Sequence, residues 1–490
     1  MRAPRRAWIG LGVLALPCML YSMDLTVLNL AVPALAADLK PSAAQLLWIV
    51  DIYGFLVAGF LIPMGTLGDR IGRRRVLLIG AAGFGAASVL AAFAGSAEAL
   101  ILARALLGVA GATLAPSTLS LIAVMFRHPE ERGLAIALWV ASFSVGAIVG
   151  PIVGGLLIQW FWWGAAFLVG VPVMALLLAL GPRLLPEYRD PGAGRIDLTS
   201  SALSLTAVLA FIYGIKRAAE QGADPVAWTA MAVGLALVAW FVHRQRRLAD
   251  PLIDLTLFRS SAFSAALAIN LAMMFCLFGG FVLIALYFQL VAALDAMQAA
   301  ACTLVSATAF ALASPMTPLL TRRWPVPKVI VGGLALAALG FAMLVPDRGL
   351  WLVVAGSVVL SIGSSPVAAL VTGLVVGAAP PERAGAASAL SETAAELGGA
   401  LGIALLGSLA TAIYRHALTG VDLGGAAFEA ARTSLAAAVS LEGMPASVLT
   451  QARAAFVDGL SLAAILSALV CLGAAGLALA LPREGAAARK

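Results

Sequence analysis

Residues 65–78 read GTLGDRIGRRRVLL. They place one carboxylate, Asp69, and four arginines, Arg70, Arg73, Arg74 and Arg75, between two apolar runs near 46–67 and 76–95. Each run is about as long as the ~20 residues a helix needs to cross a hydrocarbon core of about 30 Å. The charged stretch is therefore a short loop at a membrane surface. Gly65, Gly68 and Gly72 permit a tight turn and close backbone approach, and Asp69 can cap a helix start. Anchoring to lipid phosphate explains the arginines, but it explains neither Asp69 nor the glycine spacing.

Outward from this loop the pattern repeats along the chain. Of 490 residues, 62% are hydrophobic and 11% charged, against roughly 25% charged in a soluble domain, and the mean hydropathy is +1.02. The chain reads as an all-α polytopic membrane protein with fourteen spans, near 8–35, 46–67, 76–95, 99–125, 133–157, 162–182, 198–217, 226–243, 262–290, 300–321, 328–346, 350–378, 386–414 and 458–481. Most of the 31 basic residues then fall in alternate loops with the Arg70–Arg75 cluster, which puts that loop and both termini on the cytoplasmic side. Lys216 and Arg217 are the main discord. The apolar stretch from Trp8 to Leu35 is too long for a signal peptide and reads as a retained first span. One long outer connection, 415–457, contains AAFEAARTSLAAAV and reads as a lid or a surface connector.

The net charge of +7 is dispersed in short clusters, which argues against nucleic acid as a partner. Four cysteines lie far apart in apolar runs and three histidines lie at span ends or in loops, so neither a disulfide framework nor a metal pattern is present. No phosphate-binding G-x-x-x-x-G-K-[ST] occurs. No cofactor, metal or enzymatic activity is expected.

Chemistry must then reside in the spans. In AASALSETAAELGGALG (386–402), Glu392 and Glu396 stand one turn apart on a helix face, roughly 9 and 15 Å in from the inner end at 1.5 Å per residue. Intramembrane carboxylates are costly and mark ion or substrate paths. Asp24 lies roughly 16 Å and Asp51 roughly 8 Å from the outer end of its helix. Asp295 reads as an outer-loop charge. Trp48, Tyr53, Phe143, Phe288, Met273 and Met274 could cushion a flat cation.

The loop pattern G-x-L-x-D-R-x-G-R-R-R resembles the signature of the major facilitator superfamily. The resemblance implies that Gly65, Asp69, Arg70, Gly72, Arg73 and Arg74 form a latch that changes partners during alternating access. LILARALLGVAGA resembles that superfamily's Arg-x-x-Gln-Gly motif, implying a proton-coupling role for Arg104, although Leu107 replaces the glutamine. GAIVGPIVGG, with Gly146, Gly150, Pro151, Gly154 and Gly155, resembles the motif of its exchanging exporters. MDLTVLNLAVPAL, containing Asp24, Thr26, Asn29 and Pro33, resembles the fourteen-span drug:proton antiporter branch. WIVDIYGFLVAGFLIPMGTLGD and SALSETAAELGGALGIALLGS resemble its quaternary-ammonium exporters.

The family fold implies a six-helix bundle over 1–184, two inserted helices over 185–261 and a second six-helix bundle over 262–490. TRRWPVPK falls where repeat symmetry would place a second latch, and keeps only its basic residues. The resemblance implies a monomer in the bacterial cytoplasmic membrane, driven by the proton gradient. It would export hydrophobic, mainly cationic drugs, with Asp24, Asp51, Glu392 and Glu396 binding protons and substrate. A narrow exporter of one metabolite or antibiotic is the alternative.

Overall fold

The structure, a computed structural model, describes residues 3–189, 197–221, 224–248, 251–253, 255–345, 349–380, 383–418, 434–440, 444–479 and 481. Among them all regular structure is helical. Thirteen of the described segments are long and apolar enough to cross a membrane, and the remaining expected span corresponds to a shorter apolar helix, Val326–Ala342, of 17 residues. The first group of helices comprises α1 (Arg5–Leu39), α2 (Ala43–Ile71), α3 (Arg73–Ala92), α4 (Ala97–Gly111), α5 (Leu114–Met125), α6 (Pro129–Trp160), α7 (Ala165–Leu168) and α8 (Gly170–Leu184). Two further helices follow, α9 (Leu198–Gln221) and α10 (Pro225–Gln245). The last group is α11 (Ser261–Leu286), α12 (Ala296–Ala313), α13 (Thr317–Arg323), α14 (Val326–Ala342), α15 (Leu350–Ala378), α16 (Ala384–Ala417), α17 (Leu435–Ser440) and α18 (Ala446–Leu479). Much of AAFEAARTSLAAAV, the side chains of Asn29 and Pro33, and the extreme termini lie outside the described residues.

Helices α1–α8 pack on one another, and α11–α18 do likewise. Lipid is as apolar as leucine, so helices associate through close packing rather than the hydrophobic effect, and small residues decide where they touch. On α6, a Cβ at Gly146, Gly150 or Gly154 would run into Met19, into Thr26 and Met23, or into Val27 of α1, whereas Gly155 faces open space. The second group repeats the device. Gly398 and Gly402 of α16 abut the carbonyls of Leu271 and Phe275 on α11. The ELGGALG run, read for its carboxylate, is thus also a packing seam, and its G-x-x-x-G spacing carried that signal. Gly146→Ala is expected to destabilise the protein by about 1–3 kcal/mol through overpacking, and Gly155→Ala to leave it unaffected. Thermal unfolding in detergent checks this, and equal melting temperatures would refute it.

The fourth and tenth spans are each broken. Ala112 and Thr113 separate α4 from α5, with the Thr113 hydroxyl donating back to the Ala110 carbonyl at 2.7 Å. A 3-10 turn, Ser314–Met316, separates α12 from α13. Pro315 and Pro318 lack the N–H that would continue the helix.

Helices α9 and α10 pair with each other, and α9 also packs on α2 and α16. Leu205 and Leu209 of α9 press on Gly59 of α2. Near the ends that carry the Arg70–Arg75 cluster, called the basic end below, Ile62, Leu203, Phe241, Leu252, Ile253 and Ala389 form one apolar cluster. The inserted pair therefore touches both bundles. The discordant Arg217 has a local explanation, since its Nη2 donates to Asp224 at 2.7 Å across the α9–α10 turn. Hydrogen bonds from Arg217 hold the Asp224 carboxyl below its ordinary range. A basic residue neutralised in this way carries little weight as an orientation signal.

Candidate functional site

Arg104 projects from α4 with its side chain fully buried. Its Nη1 donates to Asp24 Oδ2 on α1 at 2.5 Å, its Nε to the Ile49 carbonyl at 3.1 Å and its Nη2 to the Val50 carbonyl at 3.4 Å. The guanidinium also sits 4.8 Å over the Tyr53 ring. A buried charge is tolerated when it is paired and its remaining donors are satisfied, and these contacts meet that condition. Leu107, which replaces the family glutamine, is buried and apolar, so Asp24 and backbone carbonyls serve instead. Gly108 lets α4 come against the Tyr53 backbone. Asp24 and Arg104, expected in separate roles, form a single ion pair inside the first bundle.

The two glutamates of α16 are held differently. The Tyr21 phenol of α1 donates to Glu396 Oε1 at 2.6 Å, joining the two bundles at mid-depth. No hydrogen bond or ion pair links Glu392 to any described residue. It lies within electrostatic reach of Cys18, Tyr21 and Glu396.

Around Tyr21, which reaches Glu396, the first bundle presents a row of rings. Tyr53 and Tyr21 lie 5.8 Å apart, Tyr21 and Phe143 5.9 Å, and Phe143 and Trp139 4.9 Å, the last two pairs edge to face. Trp139 Nε1 donates to Thr118 Oγ1 at 3.0 Å, which fixes its ring. The Tyr53 hydroxyl is buried with no partner among the described residues.

Tyr21 and Trp139 were not singled out from the sequence. Tyr21 lies three residues before Asp24, and Trp139 four before Phe143, so each pair shares a helix face. That spacing was the available signal. Of the other aromatic and methionine candidates, Phe288 and Met273 are buried in the core of the second bundle, and Trp48 is 42% exposed. Asp51 is half-buried on α2, just after the carbonyls that hold Arg104. Asp295, expected to be a loop charge, caps α12 by accepting from the Gln298 backbone N–H at 2.8 Å.

At the basic end, Asp69 does not cap α3, whose N-cap is Gly72 with no side-chain hydrogen bond. Its Oδ1 accepts from Arg73 Nε at 2.9 Å and from the Gly385 N–H at 3.0 Å, and its Oδ2 accepts from the Ala386 N–H at 2.9 Å. Asp69 thus caps α16 of the other bundle, where unsatisfied N–H groups and the helix dipole favour an anion. Gly65 lies directly against Gly385 and Ala389. Arg73 is fully buried, and Arg70 is half-buried at the end of α2.

The segment 185–189 holds the turn from outside, a role the sequence reading missed. Glu187 accepts from the Arg74 N–H at 3.1 Å, Arg74 Nη1 donates to the Leu185 carbonyl at 3.0 Å, and the Arg73 N–H donates to the Tyr188 carbonyl at 3.1 Å. Gly72 adopts φ +116° with Glu187 where a Cβ would stand. Only glycine takes that conformation readily. Two more contacts tie the bundles at this end: Ser314 Oγ donates to the Ala137 carbonyl at 2.6 Å, and Arg322, from the basic TRRWPVPK stretch, reaches Glu130 at 3.1 Å. The second pair is exposed on both sides, so it adds little stability.

Known proteins resemble this chain over most of its length. The chain is 44% identical to the multidrug efflux pump LfrA of Mycolicibacterium smegmatis, over 97% of this chain and 96% of that protein. It is 34% identical to the methyl viologen resistance protein SmvA of Salmonella typhimurium, over 82% of each chain. It is 33% identical to the puromycin resistance protein pur8 of Streptomyces alboniger, over 83% of this chain and 82% of that one. The crystal structure of the human organic anion transporter MFSD10 has the same fold, with a TM-score of 0.66 at 15% identity, covering 97% of this chain and 99% of that one. The profile described as Major Facilitator Superfamily matches residues 14–403. With its helices, its basic-end turn and these relatives taken together, the chain is a multi-pass membrane protein that belongs to the major facilitator superfamily.

Proposed function

We propose that the protein is a proton-driven exporter of hydrophobic, mainly cationic compounds, working as a monomer in the bacterial cytoplasmic membrane with both termini inside. The observation that carries this reading is the Tyr21–Glu396 hydrogen bond, which sets the helix carrying Glu392 and Glu396 against the bundle that holds the Tyr53–Tyr21–Phe143–Trp139 row. Aromatic faces attract a desolvated cation, and a carboxylate supplies its counter-charge. Protons and a lipophilic cation compete for that negative charge, so binding of either favours loss of the other. The proton gradient supplies the driving force, with no cofactor.

In this conformation the basic end is closed by Asp69 on α16 and by Gly65 against Ala389. Export requires this seal to open in turn to the cytoplasm. The names of the relatives LfrA and SmvA support a drug exporter. That of the puromycin resistance protein favours a narrow exporter as the second reading.

The test is ethidium movement in proteoliposomes under an imposed pH gradient. Wild-type protein is expected to move ethidium uphill, and Glu392→Gln to slow it at least about tenfold, the scale of one lost charged contact. A folded wild type that leaves ethidium in place would favour the narrow exporter.

A further inference from the structure

One buried amide fastens the inserted pair to the segment that follows it. Gln245, at the end of α10, is 3% exposed. Its Oε1 accepts from the Leu252 N–H at 2.6 Å and from the Ile253 N–H at 3.3 Å, and its Nε2 donates to Ser200 Oγ on α9 at 2.8 Å. Ser200 in turn donates to Asp197 Oδ2 at 2.5 Å, and Arg244 donates to Ser200 Oγ and Asp197 Oδ1 at 3.1 Å each. A buried polar group is tolerated when its hydrogen bonds are made, and here those bonds fold residues 251–253 back onto the pair. Leu252 and Ile253 then join Leu203 of α9 and Phe241 of α10 in the apolar cluster that holds Ile62 and Ala389. Ala389 also meets Gly65 across the two bundles. Ile62 lies three residues before Gly65, on the same face of α2, so the cluster closes over that seam.

The pair grips the two bundles unequally. Along α2 its contact runs over several turns, from Phe55 and Ala58 clustered with Ile212, through Gly59 against Leu205 and Leu209, to Ile62. On α16 the residues in the shared cluster are Ala389 and Leu390, within the first two turns of that helix. We propose that α9, α10 and residues 251–253 form a strap, anchored along α2, that grips the start of α16 and holds the basic end closed. Gln245 is the positioning residue that keeps Leu252 and Ile253 on the seam. This rests on the reading above that the basic end opens during export. When it opens, Gly65 and Ala389 part, and the cluster spanning Ile62 and Ala389 divides with them. Lipid is as apolar as these side chains, so their grip depends on close fit, and the amide fixes that fit by holding 252 and 253 in place. The strap acts on the same helix start as the Asp69 cap, through different atoms.

Full-length protein in lipid nanodiscs supplies the test, in a background lacking Cys18, Cys276, Cys302 and Cys471. Spin labels on Arg75→Cys and Arg323→Cys, both exposed at the basic end and on opposite bundles, report the distance between the bundles by pulsed electron paramagnetic resonance. Gln245→Leu and the pair Leu252→Ser/Ile253→Ser are each expected to raise the ratio of long-distance to short-distance populations about tenfold, the scale of one or two lost buried hydrogen bonds. A purely structural role for the strap would lower the melting temperature in detergent and leave that ratio as it was, and this result would overturn the proposal. So would an unchanged ratio in folded Leu252→Ser/Ile253→Ser, whether or not Gln245→Leu folds. Asp69→Ala separates the strap from the export reading. A long distance that appears in Asp69→Ala and in neither strap variant would remove the strap alone, whereas a basic end that stays closed in all three would remove the opening step and the strap with it.

Discussion

Asp24→Asn is expected to unfold the first bundle more readily as well as to stop transport. The substitution leaves the Arg104 guanidinium fully buried without an anion. Breaking one side of a buried ion pair costs about 3–5 kcal/mol, because the remaining charge is uncompensated. In a membrane interior, water offers less relief than in a soluble core. The expected readout is a large drop in melting temperature in detergent, partly reversed in Asp24→Asn/Arg104→Leu, which removes both charges. A double variant that recovers stability but not ethidium transport would assign the pair a part in coupling in addition to its structural one. A melting temperature unchanged by Asp24→Asn would show that Arg104 finds another partner and would sink this account. Loss of transport in Asp24→Asn by itself is therefore no evidence that Asp24 binds protons.

Asp69→Ala is expected to open the basic end. Asp69 is the cap of α16, with two hydrogen bonds across the bundle interface. Hydrogen bonds to a charged group contribute about 1.5–3 kcal/mol each, and the helix N-terminus adds a favourable field for an anion. Tenfold in population corresponds to about 1.4 kcal/mol, so losing both bonds should shift the balance between closed and open forms by more than tenfold. The Asp69–Arg73 pair lies within one bundle, so it is available in both forms and does not decide between them.

Maleimide labelling of Ser388→Cys reads the change, in a background lacking Cys18, Cys276, Cys302 and Cys471. Ser388 is fully buried near the seal, so its cysteine variant should be protected in the parent and labelled rapidly once Asp69 is removed. Equal protection in both would mean that Gly65 against Ala389 and the remaining contacts hold the end closed without the cap.

Several features were legible in the chain alone because they depend on local composition and period. Apolar runs of membrane-spanning length, charge clusters in alternate loops, glycines in a G-x-x-x-G row and four carboxylates in unfavourable surroundings are all properties of short windows. They gave the helical membrane architecture, the family and the residues worth watching. The family pattern also indicated a turn after α2, and Gly72 sits there at φ +116°.

Which side chains meet was decided by the tertiary structure. Arg104 lies 80 residues from Asp24, Tyr21 lies 375 from Glu396, and Asp69 lies 316 from Gly385. A helical period fixes the face on which a residue lies, but the helix opposite it depends on how the bundles pack. Asp69 could cap a helix start by its chemistry, yet the helix it caps belongs to the other bundle. Glu392 and Glu396 are equivalent in the sequence, and a phenol from α1 makes them unequal. Intramembrane charge marks where chemistry can occur because burying it is costly, and the division of labour follows from which neighbours offset that cost.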